Sequence, residues 1–292
     1  MEIFNPQKIK LTKYLFYTGK GGVGKTTLAS TLAFTTAQQG AKTLLITTDP
    51  AAHTGYVFGE TVTDTPKQVS GANLWLVRID PKAAFEAYRQ KVLDALPDQD
   101  GQTRKRVNEE LNSPCTEEVA VFQEFLDYVL SDAFDVTVYD TAPTGHTIRL
   151  LQLSWDYENE LEHKDAFTAE TAALDAAQLA RMQQAIHTLQ NRLETSMMFV
   201  TLAETTPIAE MERAMEDLSR SGIATQAIIV NQVLPEEAAD SPLFSRRRAL
   251  QRQHIDELRR RHGKEVVAIA TLQDDEIVGL SQLQDFAKTV VG

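Results

Sequence analysis

Residues 14–27 read YLFYTGKGGVGKTT, and the fold turns on this stretch. Residues 14–17 form an apolar and aromatic run of strand character. They lead into Gly19, Gly21, Gly22 and Gly24, which let backbone N–H groups converge without side-chain clash. The residues that follow, LASTLAFTTAQQ, read as a helix. Strand, glycine loop and helix in that order are the context in which GxxxxGK[ST], matched from Gly19 through Lys25 and Thr26, marks a phosphate-binding loop. The physical need is charge compensation. A triphosphate leaves water when loop amides, the positive end of a helix dipole and an ammonium group take the water's place. Gly19, Gly21, Gly22, Val23, Gly24, Lys25, Thr26 and Thr27 are therefore expected to bind nucleotide. Lys25 is expected on the β and γ phosphates. Thr26 is expected to give its hydroxyl to magnesium, which keeps mostly water and phosphate oxygens as its other ligands.

Composition narrows the setting. A chain of 292 residues can bury a substantial core as one large domain or two modest ones. Its 42% hydrophobic and 24% charged residues are those of an ordinary soluble globular protein. Lysine and arginine number 29 against 41 acidic residues, a net charge of -12, so no nucleic-acid partner is expected. The opening MEIFNPQKIK lacks the apolar core of a secretory signal, and no run of 18 apolar residues occurs. The expectation is a cytoplasmic protein that meets a membrane only through a partner. The single Cys115 cannot form an intrachain disulfide, which suits a reducing compartment.

Further strands bring acidic residues to the same end of a sheet. Residues 43–47 form a strand with Asp49-Pro50 beyond it, where open parallel sheets present ligand-binding residues. Asp49 is expected to orient or deprotonate the attacking water. An Asp-Pro pair also serves as a turn or helix cap. Residues 135–140, DVTVYD, end at Asp140, the place of a carboxylate that holds magnesium through water. Residues 142–145, APTG, follow as a glycine-pivoted loop suited to moving when the γ phosphate leaves. Strands are also expected at 74–79, 197–202, 226–230 and 266–270, and helices at 117–130, 208–219, 243–261 and 279–291. This alternation predicts an α/β fold with a doubly wound, mainly parallel sheet, as one P-loop ATPase domain over residues 1–292. Helical insertions are expected at about 81–130 and 155–193. No [NT]KxD guanine motif occurs, so ATP is favoured over GTP. Asn231, just past the strand at 226–230, is a candidate for the adenine edge, and equally for capping a turn.

The loop carries a second lysine, Lys20, and its GKGGVGKT form resembles the deviant Walker A family of dimerising ATPases. That resemblance implies that Lys20 reaches across a dimer interface to the partner's nucleotide; otherwise it is a solvated loop charge. No second P-loop occurs, so a trans-acting Lys20 needs a homodimer. The combination GKGGVGKTT, TTDPAAHTGYVFG and DTAPTGHTIRLLQL resembles the ArsA/Get family. The family holds arsenite-stimulated ATPases of efflux pumps and targeting ATPases for tail-anchored membrane proteins. VFGE, IDPKAAFEAYR, NSPCTEEVAVFQEF and VNQVLP resemble the arsenite enzyme in detail. By that resemblance Cys115, Ser113 and His146 match metalloid-binding positions. Trivalent arsenic or antimony would be the activator, a membrane efflux subunit the partner, and an arsenic metallochaperone a further one. Arsenite is thiophilic, so a cysteine thiolate beside imidazole suits it. Two departures stand against this. The chain is one half of the usual tandem, and a ligand cysteine expected near Glu170 is missing. Residues 241–244 read SPLF where targeting relatives often carry a zinc CxxC, and residues 155–193 hold one methionine among many charges. The efflux-coupled reading therefore ranks first.

Overall fold

A computed structural model of the chain describes residues 11–48, 53–95, 105, 108–109, 111–112, 114–140, 180–181, 184–237, 241–263 and 265–291. Eight strands form one sheet: β1 (Tyr14–Thr18), β2 (Thr43–Thr47), β3 (Lys67–Gln68), β4 (Leu74–Arg78), β5 (Val136–Asp140), β6 (Thr195–Leu202), β7 (Thr225–Val233) and β8 (Val266–Thr271). Their order is β3-β4-β2-β5-β1-β6-β7-β8. All neighbours are parallel except β3, which pairs antiparallel with β4. The expected doubly wound parallel sheet is what forms. β3 was not legible because its two residues are exposed and carry no apolar pattern. From β1 the chain winds outward to β2 on one side and later to β6 on the other. This reversal opens a crevice at the carboxyl end of β1, the ligand position of such sheets.

The helices are α1 (Lys25–Gln38), α2 (His53–Phe58), α3 (Pro81–Ala95), α4 (Pro114–Val129), α5 (Thr205–Arg220), α6 (Pro242–Arg261) and α7 (Leu280–Val291). Residues 184–190 are helical as well. The short α2 lies in what reads as a loop in the sequence, since six residues are too few to show a helical period. Alternation along β1 sends Leu15 and Tyr17 to one side of the sheet and Tyr14 and Phe16 to the other. The Leu15 side packs under α1 and α7 through Leu28, Leu32, Leu283 and Phe286. Because α1 is covered by sheet, α2 and α7, its Ala- and Thr-rich sequence is buried nearly all round. The Phe16 side packs under α4 and α5 through Phe125, Leu126, Ile208 and Met211. There Phe16 stacks on Tyr139 with ring centroids 4.2 Å apart, and Phe125 tilts against both rings.

α3 and α4 pack against one another, with a cleft between them lined by Ala83, Ala87, Tyr88, Glu124 and Asp127. Burial, and then the charges of Asp127, Asp64 and Asp80, push the Glu124 carboxyl above the usual carboxylate range. The folded state thus favours protonated Glu124. Its contribution to stability is fully present below the unfolded pKa and is lost as pH rises through the raised folded value.

Two outcomes are expected in denaturation experiments. Phe125→Ala empties the aromatic cluster and is expected to cost about 3–5 kcal/mol in a denaturant titration. Glu124→Gln is expected to raise the thermal midpoint near pH 7 and leave it unchanged near pH 3, where both states of the parent are protonated. An equal shift at both pH values would contradict the assignment.

Candidate functional site

The loop from Gly19 to Gly24 lies at the carboxyl end of β1, in the crevice where the winding reverses. Its path is set by close approach to two neighbouring strands. A Cβ on Gly19 would stand 2.2 Å from the Val200 carbonyl oxygen of β6. A Cβ on Gly24 would stand 2.2 Å from Asn231 Nδ2 of β7, and Gly24 also holds a left-handed φ of 90°. Both positions therefore require glycine.

Gly24 is the N-cap of α1, and no side chain caps that helix. With no acidic residue in the first turn, the helix start offers its amides and positive dipole end to an anion. Lys25 follows directly and is buried. Its Nζ donates to the Lys20 carbonyl oxygen at 3.0 Å, which folds the side chain back along the loop. Val23 is buried beneath the loop, and Thr26 and Thr27 are half-buried on the first turn.

Asn231 lies inside β7 rather than past its end. Its Nδ2 donates to the Val23 carbonyl oxygen at 2.8 Å, so the amide props the loop from below. The strand continues to Val233 with a register irregularity against β8, where Gln232 takes a φ of 55°. Beside this bend lies a cleft of about 310 Å³ lined by Leu202, Glu204, Gln232, Leu234, Phe244 and Arg247. No sequence pattern marks this cleft, because its walls come from three separate strand ends and α6.

Parallel register aligns Tyr17 of β1 and Thr47 of β2 with Asp140. The Asp140 carboxylate is only 2% exposed. Two hydroxyls point at its Oδ2, Thr47 at 3.5 Å and Thr54 of α2 at 3.3 Å, and the Thr48 N–H donates to its carbonyl oxygen at 3.4 Å. Neither threonine stands out in the sequence: Thr47 reads as an ordinary strand residue and Thr54 as part of a loop.

A magnesium ion suits this arrangement. It needs few protein oxygens when phosphates and water complete its shell, and Thr26 and Asp140 supply a hydroxyl and a buried carboxylate. Among the described residues no group of three or more His, Cys, Asp and Glu could hold a metal ion by itself. Lys20 is exposed, and its Nζ pairs at 2.9 Å with Glu210 of α5 in the same chain. Asp49, Ser113, His146 and residues 142–145 lie outside the described residues. Cys115 falls in the first turn of α4, and its side chain is likewise outside them. Most of the expected insertion at 155–193 is outside them too; of its described residues, Ile186 and Leu189 are buried.

A family model described as anion-transporting ATPase matches residues 12–292. The chain is 39% identical over 295 aligned residues to a protein of Halobacterium salinarum provisionally named an arsenical pump-driving ATPase, covering 97% of this chain and 45% of that protein. It is 36% identical to an arsenical pump-driving ATPase of Escherichia coli, over 79% of this chain and 41% of that protein. It is 28% identical to ATPase ASNA1 homolog 1 of Paramecium tetraurelia, over 96% of this chain and 92% of that protein. The chain thus spans less than half the length of these pump-driving relatives. Among the described residues no helix is long and apolar enough to cross a membrane.

The loop geometry separates its glycines. Gly24→Ala is expected to weaken ATP binding about tenfold or more, from backbone strain and the collision with Asn231. Gly21 has nothing within 4 Å of a built Cβ, and Gly21→Ala is expected to bind as the parent does. Equilibrium titration with a fluorescent ATP analogue checks both, and equal losses would contradict the described loop path.

Proposed function

This chain belongs to the anion-transporting ATPase family, a family of ATP hydrolases, and from that premise we propose that it hydrolyses ATP as a homodimer to drive export of arsenite or antimonite. The observation that carries the reading is the glycine loop pressed against β6 and β7, with an uncapped helix start and a buried lysine behind it. Lys25 swings from the Lys20 carbonyl to the β and γ phosphates. The amides of Gly21, Gly22, Val23 and Gly24 and the Thr27 turn enclose the phosphate chain. Thr26 and Asp140 would hold magnesium, which when bound would offset the charge of the phosphates. The base lies beside Asn231 in the cleft at Gln232 and Phe244, and Asp49 positions the attacking water.

Lys20 leaves Glu210 and reaches the partner's nucleotide. The pair it gives up is exposed on both sides, so breaking it costs on the order of 1 kcal/mol at most. A cation that stabilises transferring phosphate in trans is worth a rate factor of about a thousand or more. The metalloid site is formed by Cys115, Ser113 and His146, whose thiol and imidazole suit a thiophilic ion. A metalloid that binds the closed dimer better than the open one shifts the population towards it. The partner is a membrane efflux subunit, a metallochaperone supplies the ion, and the chain works in the cytoplasm.

A second reading, targeting of tail-anchored membrane proteins, is favoured by the match along 92% of the ASNA1 homologue. A targeting factor must shield an apolar helix of about 20 residues. Stable capture of such a substrate by the purified protein would place it first.

Two measurements test the proposal. Steady-state ATPase activity is expected to rise with arsenite in the parent and not in Cys115→Ser. Equal activity in all four conditions contradicts the metalloid site. Lys20→Ala is expected to lose turnover while still binding ATP. Full turnover in that variant contradicts the trans-acting role.

A further inference from the structure

We propose that Thr54 is a positioning residue for the Asp140 carboxylate, tying α2 to the magnesium side of the site. The inference rests on the proposed role of Asp140. Thr54 is 1% exposed, and its hydroxyl spans 86 positions of sequence to reach Asp140 Oδ2. Thr54 is the second residue of α2, and its hydroxyl turns out of the helix to the carboxylate at 3.3 Å.

The element that delivers this hydroxyl packs against α1 and α7 and is closed by its own C-terminal turn. The Gly279 N–H, at the start of α7, donates to the Tyr56 carbonyl at 3.0 Å, and the Glu60 N–H to the Gly55 carbonyl at 3.0 Å. Gly55 is so close to the Glu60 carbonyl that a Cβ would meet its oxygen at 2.8 Å. A hydroxyl on a clamped helix can fix a carboxylate's rotation, which a mobile loop donor cannot. Thr47 approaches the same oxygen from β2, so both donors gather on Oδ2. A carboxylate held in this way would need no reordering to meet a bound cation.

The test uses the full-length chain and a fluorescent, non-hydrolysable ATP analogue titrated with magnesium, so that binding is read without turnover. Thr54→Val keeps the shape and removes the donor; Thr54→Ser keeps the donor and removes the methyl. The magnesium concentration for half-maximal tightening is expected to rise about five- to tenfold in Thr54→Val, the size of one ordinary hydrogen bond. Thr54→Ser is expected to stay within roughly twofold of the parent. A Thr54→Val curve that overlays the parent overturns the inference, as does a Thr54→Ser loss equal to that of Thr54→Val, which marks a packing role. A parent whose nucleotide binding ignores magnesium overturns the magnesium-ATP reading and this inference with it.

Discussion

The contact on which the rest of the structure depends is the approach of the Gly19–Gly24 backbone to β6 and β7. With the Val200 carbonyl against Gly19 and the Asn231 amide against Gly24, the loop has no room for side chains at either end and one path between them. That path fixes where α1 begins. It presents an uncapped helix start to the crevice and stations Lys25 behind the loop, folded back on the Lys20 carbonyl. The same packing explains why α1 is buried almost all round, since a helix anchored at the centre of the sheet is covered by α2 and α7.

A second layer of order comes from parallel register. Setting Thr47, Tyr17 and Asp140 level across β2, β1 and β5 puts a carboxylate that is nearly inaccessible to water beside the loop. Burying such a group is costly unless donors meet it, and two threonine hydroxyls do. Lys20 stands in contrast to Lys25 five residues on. One is exposed and held by an easily broken surface pair with Glu210, the other is buried in the loop. The two lysines of one motif therefore sit in different settings, one at the surface and one inside the loop.

Much of this is legible in the sequence, for identifiable reasons. The glycine spacing encodes a backbone path, and the apolar runs at 14–17, 43–47 and 135–140 encode buried parallel strands, so the sheet and the loop could both be read. Asp140 was legible because it ends such a run. Thr54 was not, because its role depends on a contact 86 positions away and on a helix too short to leave a period. The strand through Asn231 runs longer than its apolar residues indicate, since Asn231 is paid for by a hydrogen bond to Val23 that only the packed loop supplies. β3 shows the opposite limit, two exposed residues held by pairing alone.

The central claim is that the loop cradles the phosphates of ATP with Lys25 as its buried cation. Phosphate release from ATP by the purified chain, in magnesium and in excess chelator, with Lys25→Ala beside the parent, tests it most directly. The account predicts turnover by the parent in magnesium alone and none by Lys25→Ala. Turnover that survives the chelator, or that Lys25→Ala retains, would contradict it.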